Sequence, residues 1–330
     1  MKIVVAVPIW GAGYVDRFLR YALPTLRAPG NLPALAARHD LELTLYTDAA
    51  DAERLTPALS TCGLPYSIEL QGPSPDAPPF AGCHGGTMMK QLFQRGFDRA
   101  WERGAAFVPV CADAVYSDRF FASALERVEA GARAVLTQGS GMNVATIGPA
   151  LDSIKSDGVI AAEPRRLMRA FLEGAGYGQH LPTWPGTRLY PAQMFWPAGR
   201  HGVVMRCCHM YPAMLVANRH AVMSYSPDND LTEIVLDRYE DVAWLDDSDG
   251  GFFFGLAEPG HASLEEAKPA GDTSLENFCR QWMSPWKARY FETRVVWHDG
   301  EADPGELDAA KAASDAVIDE IMACYRSVRA

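Results

Sequence analysis

The sequence predicts an α/β protein of mostly parallel, Rossmann-type sheet flanked by helices, and three observations predict it. Apolar strand-like runs alternate with helical patterns through residues 1–140, the order of a nucleotide-binding half. The opening run is dense and β-branched and feeds directly into Gly11-Ala12-Gly13. The carboxyl ends of the predicted strands carry Trp10 with Gly11, then Asp48, then Asp113, and in such sheets the ligand sits at those ends.

Residues 2–10 (KIVVAVPIW) form the first, buried strand. Val15, Phe18, Leu19, Ala22, Leu23 and Leu26 then fall at helical spacing, with Pro24 at odds with it and Pro29-Gly30-Asn31 ending it. A short helix covers residues 32–38, and residues 41–47 (LELTLYT) alternate as strand two, with Asp48 just beyond. Residues 51–59 predict a helix and Tyr66–Leu70 a third strand. Residues 71–80 hold four prolines and predict an irregular loop; Thr87 is then placed to cap a helix running to about Arg103. Residues 105–111 read as a strand, 120–130 as a helix and 132–137 as a short strand.

Farther on, residues 163–172 predict a helix, while 180–199, rich in Pro, Trp and Tyr, predict a long functional loop or lid. Short strands at 203–206 and 213–217 surround Cys207-Cys208-His209. Strands at Val242–Leu245 and 252–256 flank an acidic turn. Leu307, Val317, Ile318, Ile321, Met322, Tyr325 and Val328 make a stripe along a helix over 306–328. No repeat or linker divides the chain, so residues 1–140 and 141–330 are read as a nucleotide half and an acceptor half of one continuous unit.

Composition narrows the function. With 330 residues, 48% apolar and 22% charged, the chain has the profile of a globular protein. Thirty Lys and Arg against 41 Asp and Glu give a charge of −11, which argues against a nucleic-acid binder that works by neutralising phosphates. A local basic pocket for a small phosphorylated ligand remains compatible with that balance. No apolar run approaches the roughly 18 residues of a membrane helix, and the first ten residues lack the basic region and cleavage site of a signal peptide. Seven scattered cysteines without C-x-x-C predict reduced thiols and a cytoplasmic protein, with peripheral attachment to a membrane left open.

The segment most informative about chemistry is residues 107–118 (FVPVCADAVYSD), where a buried strand ends at Asp113 and Asp118 follows at the mouth of a helix. A carboxylate at a strand's carboxyl end faces the ligand crevice and suits a hard divalent cation that bridges two phosphates. For Asp118 the competing reading is a helix cap, and for Asp113 a turn residue.

The opening strand with Pro8, the strand ending Tyr46-Thr47-Asp48, and the helix before residues 107–113 resemble the nucleotide-sugar-dependent glycosyltransferases of the GT-A fold. The resemblance implies that Asp48 contacts the base and that Asp113 binds a divalent metal, Mn²⁺ or Mg²⁺, and the donor diphosphate. The family's Asp-x-Asp motif is replaced here by Ala112-Asp113-Ala114-Val115. It further implies a UDP- or GDP-linked sugar as donor and a carbohydrate or other hydroxyl compound as acceptor. Donor-binding candidates are then Pro8, Trp10, Asp48, Lys90, Asp113 and Arg206, the last because guanidinium binds phosphate bidentately. Metal-ligand candidates are Asp113 and His209, His209 having a structural hydrogen-bonding role as its competing reading.

The acidic turn Asp246-Asp247-Ser248-Asp249-Gly250-Gly251 packs three carboxylates into four residues, which suits acid–base work or metal binding. Asp247 and Asp249 are therefore the catalytic candidates, a plain exposed turn being the competing reading. Asp228, Asp230 and Glu240-Asp241 are the reserve bases. Trp184, Tyr190, Phe195, Trp196, Trp282, Trp286 and Tyr290 offer faces for sugar stacking, against ordinary core packing for each. Arg280-Gln281-Trp282 only partly matches the Gln-x-x-Arg-Trp motif of processive enzymes of this class.

Two other readings are carried. Gly11-Ala12-Gly13-Tyr14-Val15-Asp16 nearly spells G-x-G-x-x-G, the basis for an NAD(P)-dependent oxidoreductase. Asp16, in place of the third glycine, would set negative charge beside a pyrophosphate. The third reading is a non-catalytic protein that binds nucleotide sugars on the same fold.

Overall fold

A computed structural model of the chain describes residues 1–70, 85–174, 193–258 and 274–329. The expected loop at 71–80, most of the expected loop at 180–199, Trp184 and Tyr190 lie outside the described residues. In chain order the strands are β1 (Lys2–Pro8), β2 (Asp40–Thr47), β3 (Tyr66–Leu70), β4 (Ala106–Pro109), β5 (Ala114–Tyr116), β6 (Ala134–Thr137) and β7 (Gly139–Asn143). They continue with β8 (Gln193–Ala198), β9 (Gly202–Cys207), β10 (Tyr211–Leu215), β11 (Val242–Leu245), β12 (Phe253–Ala257) and β13 (Val295–His298).

The main sheet is mixed but mostly parallel, in the order β11-β6-β10-β4-β1-β2-β3. Only β10 runs against its neighbours. Strand β1 lies at its heart because its side chains can be buried on both faces. Val4 and Ala6 enter one apolar cluster, Ile3, Val5 and Val7 the other, as a period of two demands. The helix Gly85–Glu102 covers the first face, and Gly96 brings it close: a Cβ there would lie 2.4 Å from the Ala6 Cβ. Strands β5-β12-β7 form a second sheet beyond the ends of β4 and β6, and β13-β9-β8 a third. The C-terminal helix Pro304–Arg329 closes a smaller core on β8 and β9 through Ile318 and Ile321.

Several sequence expectations are corrected. The first strand stops at Pro8, leaving Trp10 in the turn. The helix expected through Leu26 contains a π-turn at Phe18–Ala22, where the Leu23 N–H bonds Phe18 O. Pro24 has no N–H for the Arg20 carbonyl, and the Lys155 ammonium takes that carbonyl at 3.0 Å instead. The strand expected at 105–111 breaks after Pro109, so that Ala114–Tyr116 joins a different sheet. Strand β8 occupies residues assigned above to a long loop. The main sheet takes β10 and β11 from beyond residue 140. Among the described residues, no helix is long and apolar enough to cross a membrane.

The Gly96 contact generates a prediction. Gly96→Val should lower the thermal midpoint, because overpacking between helix and sheet costs about 1–3 kcal/mol and outweighs any gain in helix propensity. Differential scanning calorimetry checks it, and an unchanged midpoint would show that the interface yields.

Candidate functional site

The strand order fixes where a ligand can enter. From β1 the chain fills β2 and β3 on one side, then crosses to β4 on the other. The connections diverge between β1 and β4, and a crevice opens beyond their carboxyl ends. A cleft of about 460 Å³ lies there, walled by Gly11–Tyr14, Arg17, Asp113, Gly141 and residues 255–258.

Each wall has a local cause. Gly11 holds φ at 83°, a left-handed value that lets the chain leave β1 and begin the helix Ala12–Arg17. Its N–H donates to the Asp51 carboxylate at 2.6 Å. Asp113 follows β4 by four residues, and its carbonyl accepts the Leu256 N–H at 2.8 Å, so β12 is laced to it. Arg17 lies one helical turn after Gly13, pairs with Glu258 and stacks on Tyr14, 4.5 Å from the ring centre. Sequence reasoning missed Arg17 and Glu258. The signal for Arg17 was present: a basic residue at i+4 from a glycine in the first turn beyond β1 shares its helical face.

The carboxyl rim of the sheet gathers most of the expected residues. Pro8 is buried at the end of β1 against Tyr46, and Trp10 is half-buried just past it. Asp48 follows β2 directly, and its carboxylate caps the helix Ala49–Ser60 by accepting the Asp51 N–H. Asp118 accepts the N–H groups of Gly30 at 2.7 Å and Arg119 at 3.0 Å, so it binds loop to loop. Because β10 is antiparallel, its amino end stands at this rim, and His209 precedes it there. Burial chiefly, and Lys287, lower the His209 pKa while Asp228 opposes. Its Nε2 is buried without a partner.

Other expected residues stand elsewhere. Arg206 does not face the cleft. It is buried in the C-terminal layer, where Nη1 donates to Phe291 O at 2.9 Å and Glu292 O at 2.8 Å, Nε reaches Ser314, and the fork pairs with Asp315. Burial pushes its pKa down to about 10, against the pull of Asp315. Lys90 is half-buried in the helix Gly85–Glu102 and is not part of the cleft wall. Glu240 and Asp241 precede β11 at the amino edge of the sheet, opposite the rim, and pair with Arg289 and Arg238.

Asp247 and Asp249 also lie outside the cleft wall. Their turn follows β11, three strands from β4, roughly 14 Å away at about 4.8 Å per strand. With His298 they form the one group of three metal-donor side chains within 4.8 Å among the described residues. Their charge is already answered: Arg165 grips Asp249 through two bonds of 2.9 and 2.6 Å, and His298 Nε2 lies 3.3 Å from Asp247. The Asp247 hydrogen bond raises the His298 pKa. Burial would raise Asp247, but bonds from His298 and the Asp249 N–H outweigh it; Arg165 chiefly lowers Asp249.

A pH dependence follows. The raised His298 stabilises fully below its unfolded value near 6.5, and that contribution is lost as pH climbs through the folded value. The lowered carboxylates contribute above about 3.8 and are lost as pH falls through their folded values. Raising the pH from about 6 to about 8 should therefore reduce the melting temperature of the parent more than that of His298→Gln. Parallel melting curves across that range would separate His298 from the effect.

No family model matches this chain, and no curated protein matches it. Among solved structures, TarS of S. aureus superposes with a TM-score of 0.27 and 12% identity, over 43% of this chain and 22% of TarS. The match thus spans about a fifth of TarS, and a likeness that loose fixes neither fold nor activity.

Proposed function

We propose that the chain is a glycosyltransferase of GT-A type that binds a nucleoside-diphosphate sugar between β1 and β4 and passes the sugar to a hydroxyl acceptor. Asp113 carries the reading: a carboxylate four residues past β4, in one cleft with the glycine turn that leaves β1. That is the position the resemblance gives to the diphosphate-binding residue. Asp48, at the end of β2, stands on the nucleoside side and is assigned the base contact.

The residues fit a divalent cation of the Mg²⁺ kind. Such ions are held by one or two carboxylates and complete their shell with phosphate oxygens and water, so Asp113 alone would serve. Bound there, the cation would offset the charge that develops on the departing diphosphate. His209, buried at the same rim with an unpartnered Nε2, is assigned to the phosphate side. The acceptor's proton is assigned to Asp228 in preference to Asp247 or Asp249. Asp228 raises the pKa of both Cys111 and His209, and it accepts the Ser226 hydroxyl hydrogen. The acidic turn is engaged by Arg165 and His298.

The oxidoreductase reading is disfavoured by one contact. The Gly11 N–H, which a dinucleotide pyrophosphate would need, is occupied by Asp51.

UDP or GDP with Mn²⁺ or Mg²⁺ should raise the melting temperature of the parent by mass action, and Asp113→Asn should abolish that response. A response to NAD alone would install the oxidoreductase instead, and donor binding without transfer or hydrolysis the non-catalytic reading. Asp228→Asn should lower transfer roughly 10²-fold with nucleotide binding retained. Transfer at the parent rate would remove Asp228 as the base.

A further inference from the structure

Among the described residues that line the cleft, Arg17 alone carries a positive charge. The residue is 8% exposed, and its Nε is buried with no hydrogen-bond partner. A guanidinium has five N–H donors, and Glu258 Oε1 engages Nη1. Gly13 adds no side chain at the fork, where a Cβ would touch Nη1 at 3.6 Å. Glu258 is the looser partner, with a side chain 56% exposed at the end of β12.

We propose that Arg17 is the anion-binding group of the cleft and that the Glu258 carboxylate occupies its fork until a diphosphate replaces it. The inference deepens the glycosyltransferase reading and rests on it for the identity of the ligand. Its warrant is chemical. A carboxylate and a phosphate present the same pair of oxygens to a guanidinium, and both form charge-assisted bonds with it. A pair with one buried and one exposed member exchanges most easily at the exposed member, which regains its hydration when released.

The charges of the cleft give the exchange a direction. Among the described residues of the wall, Arg17 contributes one positive charge and Asp113 and Glu258 one negative charge each, a net charge of minus one. A diphosphate meets that wall unfavourably unless a divalent cation accompanies it or Glu258 withdraws. Glu258 therefore sets how strongly anion binding depends on metal. Removing its charge should leave Arg17 facing the cleft with a free fork and relax that dependence.

Inorganic pyrophosphate, titrated calorimetrically with and without Mg²⁺ into full-length parent and variants, tests this. Glu258→Gln should bind pyrophosphate roughly tenfold tighter without Mg²⁺ than the parent does, and gain less from added Mg²⁺. Arg17→Gln should weaken binding by about tenfold or more, with Arg17→Lys between, because an ammonium keeps the charge and loses the fork. Equal pyrophosphate affinity in Glu258→Gln and parent would overturn the proposal and leave the pair a tether between the first helix and β12. Should Arg17→Gln fail to fold, the Glu258→Gln titration decides alone. The two readings fail separately. Nucleoside diphosphates that stabilise the parent while Glu258→Gln binds pyrophosphate as the parent does would sink only the exchange. Pyrophosphate bound through Arg17, with no nucleoside diphosphate bound better, would sink only the donor assignment.

Discussion

Strand β1 has to be buried on both faces, and the rest of the architecture follows from that requirement. Its alternating side chains seed both large apolar clusters at once. One cluster needs the helix Gly85–Glu102 drawn in until Gly96 meets Ala6, and the other needs the helical segments that follow the Gly11 turn. With β1 in the interior, the chain can add β2 only on one side and must cross over to place β4 on the other. The crevice beyond β1 and β4 is the geometric residue of that crossing. The functional reading therefore depends on the same packing that stabilises the fold, since loss of the β1 core would close or spread the cleft as well.

What surrounds the cleft is a division of labour among charges. Aspartates at the rim are mostly engaged with backbone: Asp48 with a helix start, Asp51 with Gly11, Asp118 with the Gly30 loop. These contacts hold the rim in shape. At the far edge, the acidic turn is answered by Arg165 and His298, which ties β11, β13 and the helix Pro164–Gly174 together. Among the described residues of the cleft wall the charged side chains are Arg17, Asp113 and Glu258.

Local pattern made part of this legible. The limits of β3 and β11 match their apolar runs, and the long C-terminal helix matches its stripe, because period and punctuation are written in consecutive residues. The second sheet was not legible. Strand β5 is three residues long, β7 carries two glycines in five residues, and both are strands only because β12 pairs with them from more than a hundred residues away. The site divides in the same way. Asp113 was reached through an apolar run that ends in a carboxylate, although the strand itself ends at Pro109. Arg206 and Arg17 look alike in sequence, and only their partners separate a guanidinium sealed under the C-terminal helix from one set in the cleft. Asp247 and Asp249 looked catalytic by charge density, and the cations that answer them come from residues 165 and 298.

The antiparallel entry of β10 has a consequence for how the chain is made. Tyr211 donates its hydroxyl hydrogen to Pro109 O across a separation of 102 residues, and β10 is what covers the outer edge of β4. At a synthesis rate of about 5–20 residues per second, β4 leaves the ribosome roughly 5–20 s before the strand that pairs with it. During that interval an apolar strand presents an unpaired row of backbone donors and acceptors, the feature that invites association between nascent chains. Pro109 lacks an N–H and so interrupts that row at the end of β4, which places one natural brake on premature pairing at the point where the sheet stays open longest.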